Sequence, residues 1–159
     1  MDHNHFVIAR IIHILALVLW MGGVGFVTTV LIPALRKTQS AEKRLHLFET
    51  LEGKFSFQAK ITTLLAGLSG FSMLEYMNAW SRYAYIEFWW LHLMTLVWVI
   101  FTLVLFVLEP LFLHRWFHQQ ALKNNERAFV VLQTMHILLL SLSLLAIIGA
   151  MAGSHGYQF

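Results

Sequence analysis

The chain has no cysteine, which excludes disulfides, iron–sulfur clusters, thiolate metal sites and covalently attached haem. Charge is scarce as well. Charged residues make up 12% of the 159 positions and apolar residues 58%, too little charge to cover the surface of a soluble domain. Proline occurs only twice, at Pro33 and Pro110, so long helices are barely interrupted. No phosphate-cradling glycine loop, no HExxH and no nucleophile-plus-base arrangement is found. The net charge of +3 comes without a basic amphipathic face or recognition motif, which argues against a nucleic-acid partner.

What the chain does have is long apolar stretches punctuated by charge. Twenty-five uncharged residues lie between Arg10 and Arg36, and the stretch Ala128 to Gly153 carries no charge beyond the titratable His136. Crossing a hydrocarbon core takes about 20 helical residues. The pattern predicts an all-α, integral membrane four-helix bundle in one domain, with helices over about 6–35, 57–80, 87–114 and 127–153. The opening Met1-Asp2-His3-Asn4-His5 lacks a positive leader, so the first span is expected to be retained. Loop charges set the orientation. Arg36, Lys37, Lys43, Arg44, Lys54 and Lys60 flank the first connection and Arg115, Lys123 and Arg127 the third, leaving only Arg10 and Arg82 on the other side. The positive-inside rule then places both termini outside the cytoplasm. Gly149 and Gly153 have the GxxxG spacing of closely packed spans.

Ionisable groups within spans demand a reason. His13 and His92 each lie about eight residues, roughly 12 Å, outward of the middle of the first and third spans. Those helices run in the same direction, so the two imidazoles are expected in one leaflet, where they suit a b-type haem or a metal ion. On the first helix Arg10, His13, Leu17 and Trp20 follow one face; Arg10 stands where a propionate needs a cation and Trp20 would wall the pocket. On the third, Trp89, His92, Leu96 and Val99 form a similar stripe, with Trp89 as the other wall. The plainer alternative is that both histidines hydrogen-bond between helices and the stripes are packing. His136 sits at the opposite end of the bundle, where one reading has it line an inner polar cavity with Lys60, Glu109 and Gln133 and the other, the expected one, has a simple Lys60–Glu109 pair. His155 follows the last helix on the outer side. His46, His114 and His118 belong to solvated helix ends. Copper is the competing ligand: His13, His92, His155 or His136 with Met94 and other methionines are soft enough to hold it, and Met1-Asp2-His3 permits square-planar ligation.

Two segments carry a family resemblance. His13-Ile14-Leu15-Ala16 followed by Trp20-Met21-Gly22-Gly23 resembles the His-Ile-Ile-Ala…Trp-Met-Ala-Gly run of HemJ-type protoporphyrinogen oxidases, within the superfamily that includes CopD-like copper-resistance proteins. Trp90-Leu91-His92-Leu93-Met94 is similar to a Trp-Met-His-Ala-Lys segment of the same proteins. The resemblance implies the four-helix membrane fold and haem at His13. It departs where Thr28-Thr29 replaces Pro-Arg and Met94 replaces a lysine, which removes groups associated with porphyrinogen chemistry. The expectation is a membrane b-type haem protein passing electrons from a reductant such as a quinol, with His13 and His92 as axial ligands. Whether it is an enzyme, a haem-dependent membrane oxidoreductase, stays open. The alternatives are copper binding or transport, protoporphyrinogen oxidation, or an accessory subunit of a larger complex; a homo-oligomer is also open. In a bacterial cell the location would be the inner membrane, with both termini periplasmic.

Overall fold

A computed structural model describes residues 3–156 of the chain, and nearly all of them are helical. Four rods follow one another: α1 His3–Thr38, α2 Ala41–Tyr76, α3 Ile86–Lys123 and α4 Asn125–Ser154. α1, α3 and α4 are long and apolar enough to cross a membrane. α2 is the most polar rod. All four exceed the expected spans, because the charged segments taken for loops are themselves helical. The first basic loop shrinks to Gln39 and Ser40, and the third to Asn124, whose side-chain oxygen caps α4 by accepting from the Arg127 N–H at 3.0 Å. α2 ends at Tyr76, short of the expected residue 80. Asn78 takes the left-handed conformation (φ 48°), and the Ala79 N–H reaches back to the Leu74 carbonyl at 2.9 Å.

Both prolines lie inside rods, and a wide turn accommodates each. The π-helical segment Val27–Leu31 precedes Pro33, and another, Val104–Leu113, contains Pro110. A proline ring clashes with the carbonyl four residues earlier and donates no hydrogen bond, and widening the helix there relieves the conflict.

Contacts fix an up-down-up-down bundle. His13 lies against Ala66 and Gly70 while Gly23 faces Phe55, so α1 and α2 are antiparallel. Trp98 lies over Gly67, where an added Cβ would come within 2.6 Å of the indole, and Ser56 meets Glu109, which sets α2 against α3. Trp89 lies over Gly149, Trp90 over Gly153, and Phe117 against Phe129, which sets α3 against α4. The glycines of α4 thus admit indole rings rather than a helix backbone. Two buried clusters fill the interior: Ala16, Trp20, Val24, Ala59, Ala66, Val97, Phe101 and Leu105 in the middle, and Ile32, Leu35, Leu45, Phe48, Phe117 and Phe129 towards the basic end. Outside, leucine, isoleucine, valine and phenylalanine are exposed along all four rods. An apolar exterior of this extent is the mark of a surface that meets lipid or protein.

Candidate functional site

The stripe expected on α1 does turn inward: Trp20 is 2% exposed and His13 and Leu17 are half-buried. The stripe expected on α3 does not. Leu96 and Val99 are exposed, and the buried face is Val97, Phe101 and Leu105. That rotation separates the expected site residues.

His13, Trp20 and Met94 come together on a cavity of about 270 Å³ at the end of the bundle that carries both termini. Its walls are apolar and aromatic, with Phe71, Trp90 and Trp98 facing Leu17 and Ile147. The His13 Nδ1 lies 2.9 Å from the Ala66 carbonyl and 3.2 Å from the Ser69 hydroxyl. A carbonyl only accepts, so it fixes the proton on Nδ1 and leaves the Nε2 lone pair available; metal-ligating histidines are held in this way by their second nitrogen. The buried indole N–H of Trp20 has no acceptor among the described residues. Arg82, from the turn Trp80–Ala84, also lines the cavity, with its guanidinium 5.3 Å from the centre of the Phe88 ring.

The other expected site residues stand elsewhere. His92 is not on the cavity wall. Its Nδ1 lies 3.1 Å from the Phe88 carbonyl and its Nε2 3.1 Å from the Tyr83 carbonyl, so neither nitrogen can turn to a metal without breaking a contact. Trp89 packs on Gly149 instead of walling the cavity. Arg10 is exposed, and the cation on the cavity is Arg82, which sequence position alone did not single out. His155 is exposed, its Nδ1 2.8 Å from the Met151 carbonyl. Among the described residues no three His, Asp or Glu side chains form a metal-binding group. Met1 and Asp2 of the amino-terminal copper motif lie outside the described residues.

The basic end holds more polar structure than the sequence suggested. Lys60 pairs with Glu109 at 3.4 Å, as expected, and the Ser56 hydroxyl donates to the same carboxylate at 2.6 Å. His136 lines a second cavity beside Glu109, but Gln133 accepts from Arg36 at 2.8 Å instead of joining it. His118, expected to be solvated, pairs with Glu49 at 2.7 Å. Arg44, assigned to a loop, is buried. It donates to Asn125 (2.8 Å), to Glu126 and to the carbonyls of Arg36 (3.1 Å) and Gln39 (3.3 Å). Comparison with protein-family models, curated proteins and solved structures found no match.

Proposed function

We propose that the chain is an integral membrane protein of four spans that binds a b-type haem through His13 and serves electron transfer. The observation that carries this reading is His13 itself: an imidazole held at Nδ1 by a backbone carbonyl, its Nε2 free, on the wall of an apolar aromatic cavity. The resemblance of the His13–Gly23 run to HemJ-type proteins points the same way.

The residues present fit such a group in three respects. His13 supplies a nitrogen ligand, Met94 stands on the same wall as a thioether, and Arg82 offers a cation for a propionate. The Trp20 N–H adds an unused donor. His92 serves as second ligand only if its imidazole leaves Tyr83 and Phe88. Haem bound there would supply one-electron redox chemistry at iron. The protein's part is to hold the imidazole in one tautomer and orientation and to keep water from an apolar site.

Copper is the second reading, favoured by Met73, Met77 and Met94 on the same cavity as His13. Thioethers with one imidazole suit Cu(I).

An optical spectrum of detergent-purified protein, oxidised and dithionite-reduced, tests the proposal. The expected result is a haem b spectrum that His13→Ala abolishes, that Arg82→Gln weakens through faster haem loss, and that His92→Ala leaves in place. Colourless protein after expression with ample haem overturns it, and bound copper in that colourless protein selects the second reading.

A further inference from the structure

A second cavity, of about 630 Å³ against about 270 Å³ around His13, lies at the opposite, basic end and shares no lining residue with the first. Three layers follow one another along it. Near the helix ends stand Gln120, Lys123 and Arg127. Beyond them Glu52, Ser56, Glu109 and His136 form a polar shelf, contributed by α2, α3 and α4. Past the shelf the cavity closes on Val24, Ala59, Phe101 and Leu139.

The shelf has unused hydrogen-bonding capacity. Glu109 is occupied by Lys60 and Ser56, but the His136 Nδ1 is held 2.9 Å from the Leu132 carbonyl, which leaves Nε2 without a partner. Among the described residues Glu52 has neither a hydrogen bond nor an ion pair, although it is half-buried. A carboxyl there donates in its protonated form and accepts in either form. The cavity also has an apolar rim: Val131, Met135 and Trp116 line it and are exposed on the outer surface of the bundle. A ligand therefore enters sideways from an apolar medium, past α3 and α4, and meets polar groups only inside.

We infer that this cavity binds a membrane-soluble quinone, with its ring between the phenylalanine walls and its two oxygens at Glu52 and His136. A quinone ring offers acceptors when oxidised and donors when reduced, and a shelf able to donate and accept suits both forms. An acyl chain fits worse, because its methylenes would strip water from Glu52, Glu109 and His136 without replacing the hydrogen bonds. A lipophilic cation gains little, because Lys60 already neutralises Glu109. The site stands apart from His13, so binding there does not need haem, although a quinol is also the reductant expected in the haem reading.

Equilibrium dialysis of tritiated decylubiquinone against the detergent-purified full chain tests the inference. The expected result is one saturable site per chain. Glu52→Gln and His136→Leu should each weaken binding tenfold or more without lowering the melting temperature. Val131→Trp, at the rim, should block binding, while Leu138→Trp, on the exposed face of α4, should leave it unchanged. Absence of saturable binding to protein that melts normally overturns the inference, as does binding indifferent to Val131→Trp. Displacement by equal concentrations of decanoate or decyltrimethylammonium also overturns it, since the cavity would then take any amphiphile.

Discussion

At the scale of single residues, the titratable groups divide by whether the fold supplies a partner. Glu109 receives a cation and a hydroxyl, and Arg44 receives four partners. Glu52, half-buried on α2, receives neither among the described residues. Burying a charge without a partner costs the fold, so Glu52→Gln should leave the melting temperature in detergent unchanged or raise it. A lower melting temperature in that variant would show that the fold depends on the carboxylate.

At the scale of elements, Arg44 joins three rods at the basic end. Its guanidinium reaches the end of α1 at the Arg36 carbonyl and the start of α4 at Asn125 and Glu126, and it lies 5.6 Å from the centre of the Phe129 ring. Removing a buried, hydrogen-bonded arginine strands its partners, so Arg44→Ala should cost about 3 kcal/mol in unfolding experiments. Arg44→Lys should recover little, because one ammonium cannot span partners on both sides of a planar fork. Full rescue by lysine would reduce the cluster to plain charge attraction.

The rods also show how much the sequence can tell. The apolar stretches were legible because length and charge mark them whatever their surroundings. The inward face of α1 was legible from His13 and Trp20. The inward face of α3 was not, since Leu96 and Val99 outside are as apolar as Val97 and Phe101 inside. When the exterior is apolar too, hydrophobic periodicity vanishes and the buried face cannot be read from it. His92 was paired with His13 by depth alone, and depth does not tell which way a side chain turns. α2 offers the reverse case: Ser56, Thr62, Thr63 and Ser69 are buried while Phe57, Leu64 and Leu68 are exposed, an inside-out pattern visible in the sequence. Arg44 and Arg82 were missed for another reason. The role of Arg44 depends on Asn125 arriving from 81 positions along the chain, and that of Arg82 on the cavity that α1, α2 and α4 complete beside its turn, and one helix gives no hint of either.

At the scale of the whole molecule, the question is whether α2 crosses with the other three. Hydropathy alone leaves it out, since only α1, α3 and α4 are long and apolar enough by composition. Packing argues that it crosses. Gly23 of α1 faces Phe55 and His13 faces Gly70, so α2 runs beside the same apolar stretch of α1 for some ten residues of that rod. In the proposed four-span arrangement a rod at that depth shares the membrane of its neighbour, and its polar residues are tolerated because they are the buried ones. Parity then decides the topology: four crossings put both termini on one side, three put them on opposite sides. In the proposed orientation the Gln39 turn and Asn124 lie in the cytoplasm, at the end of the bundle towards which nine of the eleven basic residues are gathered, and Ser81 lies outside. The absence of cysteine makes the test clean, since every labelled thiol is one that has been introduced. In intact cells an impermeant maleimide should label Ser81→Cys and Ser154→Cys but not Gln39→Cys, which should react only after permeabilisation. A shared fate of all three, whether labelled or protected, would mean that α2 does not cross, because Gln39 and Ser81 would then lie on one side; labelling of Gln39→Cys alone in intact cells would invert the orientation.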